Sequence, residues 1–249
     1  MGKIHVLMTK EEIDAEKMAG KIAVVLDVLS ATSTIAAALA DGAREVIPVI
    51  DRDHAFEKVG NLPKDTYVLA GESGGKAIDG FHYPDAIELR DKLPGKTLIL
   101  STTNGTVAIH GASPAKKVYV GSLLNGESVG QRVADNFREE TVILVCSGSA
   151  GRFNIEDFYG AGYVIDCLLG ENESQWAITD AARAALYLFR KYRNHGEDIL
   201  MASRVGTKLA QFGFEEKVKL AAKQGVLPVI PIVHKEKIIR EEEINNETV

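Results

Sequence analysis

The sequence predicts an α/β protein, layered α/β/α around a largely parallel or mixed central sheet, and three observations predict it. Short β-rich apolar runs alternate with helical patterns, which is how strands joined by crossover helices read. The 249 residues, 45% hydrophobic and 26% charged, suffice for a large core, as one big domain or two small ones. A strand, hydroxyl-rich loop, helix, strand grammar also occurs twice, 72 positions apart, with Thr34, Ala36, Ala40, Ala43 and Val46 matching Thr106, Ala108, Ala112, Ala115 and Val118. Two similar strand-helix-strand halves would produce this match; so would the general likeness of any two such units.

The expected strands are residues 4–8, 22–26, 45–49, 67–70, 97–100, 117–120, 142–146 and 229–233. After the second, the run from Ala31 to Ala40 is a helix that hydroxyl residues can cap and Gly42 can end. Residues 173–193 and 197–212 repeat apolar positions at every third or fourth residue, which predicts helices covering the sheet. The chain reads as one unit over 1–249 with a subdivision conceivable near 125–140, and residues 240–249 read as a fraying polar tail.

A net charge of −6 and the lack of any Lys/Arg block argue against nucleic acid or an acidic membrane as partner, leaving a small molecule, and a homo-oligomer stays open. Cys146 and Cys167 sit in no CxxC or dense spacing and read as buried thiols. The first 21 residues lack a signal-peptide core, and no run reaches the roughly 18 apolar residues of a membrane span, so a cytoplasmic location is expected.

Candidate chemistry lies where strands end, because open α/β sheets hold ligands at the carboxyl ends of their strands. Asp27 closes the run Ile22-Ala23-Val24-Val25-Leu26 and is either a magnesium ligand, since that ion takes carboxylates and leaves room for phosphate and water, or a capping or ion-paired aspartate. Ser101-Thr102-Thr103-Asn104-Gly105-Thr106 follows a strand and precedes a helix, a setting that favours an anion but equally suits a hydroxyl cap with an Asn-Gly turn. The segment from Cys146 to Asp157 brings small residues, Arg152 and the adjacent Glu156 and Asp157 to a helix start. Arg152 can clamp an oxyanion, and the acids can hold a metal or simply suit the helix dipole.

Several templates fail. Gly71-Glu72-Ser73-Gly74-Gly75-Lys76 is one residue short of a Walker A loop, and Ala77 stands where magnesium needs Ser or Thr. Gly160-Ala161-Gly162 lies inside a helical pattern, where close helix packing explains it better than a dinucleotide fingerprint. The six histidines show no HExxH or HxH spacing, there is no GxSxG elbow, and Asp27-Val28-Leu29 lacks the second aspartate of haloacid dehalogenase-type phosphatases.

The segments VVLDVLSATSTIAAAL, AGESGG, ILSTTNGTVAI, VGSLLN, VCSGSAGRFNIEDFYGAG and DILMASRVGTKLAQFGFEEKVKLAA resemble, in that order, the 2-phosphosulfolactate phosphatase family. The resemblance spans nearly the whole chain, with TTNGT and GRFNIED its most specific parts. It implies magnesium-dependent hydrolysis of a phosphate ester on a small sulfonated hydroxy acid, giving sulfolactate for coenzyme M synthesis. On that expectation Asp27 with Glu156 or Asp157 holds Mg2+, and Thr32, Thr103, Asn104, Gly105, Thr106, Gly148 and Arg152 hold the substrate. Glu72 is a further ligand or base. The metal would activate water, although direct attack by Asp27 to give an aspartyl phosphate is also open.

Two departures from the family pattern stand out. Ser30 replaces the arginine of Asp-Val-Leu-Arg-Ala-Thr, and losing a charged hydrogen bond to an anion costs about 1.5–3 kcal/mol. Gly80-Phe81-His82-Tyr83-Pro84-Asp85 shortens the family's Gly-Phe…Asn-Ser-Pro stretch. The alternative function they allow is a non-catalytic protein that binds or senses a small anion, diverged at Ser30.

Overall fold

Ile22, Ala23, Val24, Val25 and Leu26 are consecutive, apolar and all buried, so their strand has to be covered on both faces. The computed structural model, which describes residues 1–244, places that strand inside a parallel block of an eleven-stranded sheet. The strands are β1 (Gly2–Leu7), β2 (Ile22–Leu26), β3 (Glu45–Val49), β4 (Tyr67–Ser73), β5 (Lys76–Ala77), β6 (Thr97–Ser101), β7 (Lys117–Gly121), β8 (Thr141–Cys146), β9 (Trp176–Ile178), β10 (Pro231–His234) and β11 (Lys237–Arg240). The α-helices are α1 (Ala15–Met18), α2 (Ala31–Ala40), α3 (Arg52–Val59), α4 (Ala86–Leu89), α5 (Gly105–Ala112), α6 (Gly126–Asn136), α7 (Ile155–Leu169), α8 (Asp180–Lys191), α9 (Gly196–Ala202), α10 (Arg204–Gln211), α11 (Glu215–Ala221) and α12 (Glu241–Ile244).

The strand order is β5-β4-β6-β3-β11-β10-β7-β2-β8-β1-β9. Within it, β4, β6 and β3 form one parallel block, and β7, β2, β8, β1 and β9 form another. The antiparallel hairpin of β10 and β11 joins them, β10 pairing with β7 and β11 with β3. Both blocks contribute to the core around α2 and α5, where Val25, Val120 and Val145 of one block meet Val46, Val68 and Leu98 of the other. A second core lies against α6, α7 and α8. In it the close approach expected of the Gly160-Ala161-Gly162 run occurs, since a Cβ on Gly162 would stand 2.1 Å from the Ala185 carbonyl oxygen.

A third cluster unites Leu200, Leu209 and Val218 of α9, α10 and α11 with Val28, Leu29 and Tyr159, and it seats these short helices against the end of β2. Here the expected 197–212 helix breaks at Ser203, whose extended backbone and Oγ, accepting from the Gly206 N–H at 2.9 Å, restart the chain as α10. Within 173–193 the helix begins only at Asp180, because Trp176–Ile178 pairs with β1 as an edge strand. Residues 240–244 are anchored. Arg240 donates to the carbonyls of Leu39 and Ala43 at 2.8 and 3.0 Å, and Glu241 accepts from the Tyr119 hydroxyl at 2.8 Å. The rest of the expected tail lies outside the described residues. Both cysteines are free thiols, and among the described residues no helix is long and apolar enough to cross a membrane.

Candidate active site

Two strand ends are closed by the same device. Past β2, the Asp27 N–H donates to Thr32 Oγ1 at 3.0 Å while the Thr32 N–H returns to the Asp27 carbonyl at 3.0 Å, so the first turn of α2 folds back and fixes the Asp27 carboxylate. Past β6, the Thr102 N–H donates to Thr106 Oγ1 at 3.1 Å, and the Thr106 N–H donates to Thr102 Oγ1 at 3.1 Å. The two helix starts then meet at Gly105, where a Cβ would lie 2.4 Å from the Ala31 Cβ and 2.8 Å from Asp27 Oδ2. Only glycine lets α5 come this close to the acid.

Above Asp27 opens a cleft of about 410 Å³. Its walls come from the carboxyl ends of strands in both blocks: Asp27 after β2, Glu72 and Gly74 at β4, Thr102 to Asn104 after β6, and Ser149, Ala150 and Asn154 after β8. Lys10, beyond β1, completes that side, and α10 closes the other with Arg204, Val205, Lys208 and Leu209, followed by Phe212.

Asp27 lines the cleft, and two more buried acids, Glu156 and Asp157, lie outside its lining but close enough to interact with Asp27. Asp27, Glu156 and Asp157 are 8%, 1% and 1% exposed. Burial, with Glu72 and Glu156 adding repulsion, pushes Asp27 up to about 7 against the Ala31 and Gly105 N–H groups. Burial also raises Glu156, against the opposing pull of Ser203 and Arg204, and raises Asp157, where Asp27 and Glu156 add to it. Their partners differ. Asp157 accepts the Val28 N–H at 2.8 Å and the Gly148 N–H at 3.1 Å, one per oxygen, and so ties α7 to the ends of β2 and β8. Glu156 Oε1 has no hydrogen-bond partner, and neither has the buried Ser147 Oγ just past β8.

Comparison with known proteins fixes the lineage. Residues 7–236 match the family model described as 2-phosphosulpholactate phosphatase. A protein of Clostridium perfringens strain SM101, named "Probable 2-phosphosulfolactate phosphatase", is 38% identical over 232 residues, 92% of each chain. Proteins given the same name are 34% identical in Clostridium acetobutylicum, over 92% of this chain and 96% of that one, and 35% identical in Symbiobacterium thermophilum, over 88% and 93%. The chain belongs to the 2-phosphosulfolactate phosphatase family.

In this member of the family the cleft brings together Asp27, Glu72, Thr103 and Asn104 from among the residues singled out in the sequence. Glu72 accepts from the Thr103 N–H (2.7 Å), Thr103 Oγ1 (3.1 Å) and the Gly75 N–H (2.7 Å), which binds the β4 turn to the loop after β6. Thr32 and Thr106 are buried behind the cleft in the helix starts, and Gly148 donates to Asp157. Arg152 is exposed and outside the cleft wall, its backbone exchanging hydrogen bonds with Ser149.

The cleft's cations are instead Lys10, Arg204 and Lys208, none of them singled out in the sequence. The signal for Lys10 is its place three residues past β1, at another strand end. For α10 it is the polar stripe Arg204, Lys208 beside the apolar stripe Val205, Leu209, which reads equally as an ordinary solvated helix face.

Proposed function

We propose that this chain is a phosphoric monoester hydrolase that converts 2-phosphosulfolactate to sulfolactate and inorganic phosphate, with magnesium as its cofactor. The observation that carries the reading is the cleft itself, where Asp27 and Glu72 share a space of small-molecule size with Lys10, Arg204 and Lys208, and where the buried Glu156, which acts on Asp27, keeps one oxygen unpartnered. Family membership supports the substrate, and the names of the relatives supply it. By the same resemblance the product enters coenzyme M synthesis.

The donor set fits a hard cation. Mg2+ uses one or two carboxylates and fills its remaining positions with water and substrate phosphate. Asp27 and Glu156 would hold it, the second through the buried Oε1 that no protein group satisfies. Among the described residues no three His, Cys, Asp or Glu side chains converge as a complete cage, so the site depends on substrate and water oxygens to finish it. When bound, the ion supplies charge neutralisation for the phosphoryl oxygens and polarises the ester. Asp157, with both oxygens taken by backbone N–H groups, positions the two strand ends instead.

The protein's part is placement. The ester P–O bond breaks, a water oxygen joins phosphorus, and the leaving alkoxide of sulfolactate takes a proton. Lys10, donating to Asn104 Oδ1 at 3.0 Å, brings positive charge to the loop after β6, where the phosphoryl group meets the starts of α2 and α5. Tyr83, Leu209 and Phe212 limit water at the opposite wall.

The test is phosphate release from 2-phosphosulfolactate with Mg2+ and with EDTA. Turnover that needs Mg2+ and disappears in Asp27→Asn supports the proposal. Sulfolactate binding without turnover points to the anion-binding alternative, in which Ser30 at the cleft has left the protein without catalysis. Turnover unaffected by EDTA overturns the metal assignment.

A further inference from the structure

Arg204 and Lys208 stand four residues apart on α10 and so share one face of that helix, one turn apart. Both line the cleft, and both are exposed. Their hydrogen-bond partners are neutral oxygens: Arg204 reaches Asn154 Oδ1 at 3.0 Å and the Ser149 carbonyl at 3.4 Å, and Lys208 reaches the Gly74 carbonyl at 3.4 Å. Neither is held in an ion pair, unlike Arg190 and Arg193, which pair with Asp166, or Lys237, which pairs with Glu45. The charge of Arg204 reaches the buried Glu156, with which it forms no ion pair.

The helix bearing the two cations is fixed. A Cβ on Gly206, between them, would fall 1.8 Å from the Leu200 carbonyl oxygen, so α10 lies directly on α9, and Leu209 anchors it in the cluster beneath. The cleft therefore has a purely cationic wall on α10, opposite a side where Asp27 and Glu72 accompany Lys10. A plain phosphate ester that places its phosphoryl group by Asp27 leaves that wall facing an uncharged remainder.

We propose that Arg204 and Lys208 are specificity-determining residues that receive the acidic group which is not cleaved, so that the cleft selects phosphate esters carrying a second anion over esters that lack one. The proposal rests on the phosphatase reading for its substrate, but binding of the product tests it separately. Exchanging the neutral oxygens now on these cations for an anionic one adds charge-assisted hydrogen bonds, each strong enough to change affinity by about tenfold or more.

The experiment compares the protein with Arg204→Gln, Lys208→Gln and Arg204→Lys, measuring kcat/KM for 2-phosphosulfolactate and for p-nitrophenyl phosphate, and the Kd of sulfolactate by calorimetry. Expected is a fall of about tenfold or more in the ratio of the two kcat/KM values for each Gln variant, expressed mainly in KM, with sulfolactate affinity falling in parallel and partly restored in Arg204→Lys. A ratio within about twofold of the parent, or sulfolactate affinity untouched by both Gln variants, overturns the proposal. If the parent hydrolyses neither ester yet its sulfolactate binding weakens about tenfold in the variants, the phosphatase reading fails while the assignment of the two cations stands. If sulfolactate does not bind the parent at all, the assignment fails.

Discussion

Replacing Asp27 by Asn should make the metal-free protein more stable while removing its activity. In the folded chain burial lifts the Asp27 carboxyl from its ordinary 3.8 to about 7, so the native state holds this proton more tightly than the unfolded chain does. The sign follows from linkage: stability tied to the group is full below about pH 4, declines as pH rises, and is lost once pH passes about 7. Three pH units at about 1.36 kcal/mol each give about 4 kcal/mol, and allowing for the neighbouring acids that take up the proton in its stead leaves on the order of 2–4 kcal/mol. Asparagine carries no charge and keeps an oxygen for the Ala31 N–H, while its NH2 meets the Gly105 N–H, which places the net gain toward the lower end of that range. In a domain of this size 1 kcal/mol moves Tm by about 2–4 °C, so the variant should melt roughly 5–10 °C above the parent at pH 8 in EDTA. The difference should shrink toward zero as pH approaches 4. Calorimetric scans across that range decide it: an Asp27→Asn variant no more stable than the parent at pH 8, or a difference independent of pH, refutes the reasoning. A gain in stability bought by losing a functional group is what an acid held for catalysis rather than for folding predicts.

Two further outcomes are expected. Asp157→Ala strands the Val28 and Gly148 N–H groups in the interior, so chemical denaturation should show a loss of about 2–4 kcal/mol, the opposite sign to Asp27→Asn. Burial depresses the Lys217 ammonium to about 8, so the folded chain holds that proton less tightly than the unfolded one, and parent stability rises between about pH 8 and 10.5. Lys217→Met should therefore match or exceed the parent at pH 7 by urea titration, with the advantage fading by about pH 10, since Thr34 Oγ1 still donates to the Pro84 carbonyl that Lys217 now serves.

Much of the sheet was legible because buried parallel strands are continuous apolar runs: residues 22–26 and 45–49 coincide with β2 and β3, and 97–100 and 117–120 fall one residue short of β6 and β7. β11 was not, for a local reason. Its hairpin turns through Lys235 and Glu236 at φ 49° and 68°, left-handed backbone that usually announces itself with Asn-Gly, so the sequence carries no turn signal there. β9 is a three-residue edge strand held by its pairing with β1, too short for a period to show. At the site, the acids were visible because strand ends are where ligands sit. Arg204 and Lys208 were not, because a helix far along the chain is brought to the cleft by Leu200, Leu209 and Val218, a packing relation no local pattern records.

The β10–β11 hairpin has a temporal consequence. Within the sheet the two parallel blocks that share the cleft are joined through this hairpin, residues 231–240, which follows every residue of the cleft wall along the chain. A ribosome-bound chain that has emerged only as far as residue 228 thus owns every side chain of the cleft and yet presents two raw strand edges, β3 and β7, each competent to recruit a foreign strand. Synthesis of the stretch from residue 231 to residue 240, at about 5–20 residues per second, delivers the splice that turns these edges into interior. Chains cut short before Pro231 should accumulate as aggregates, even though what they have lost includes no residue of the cleft wall.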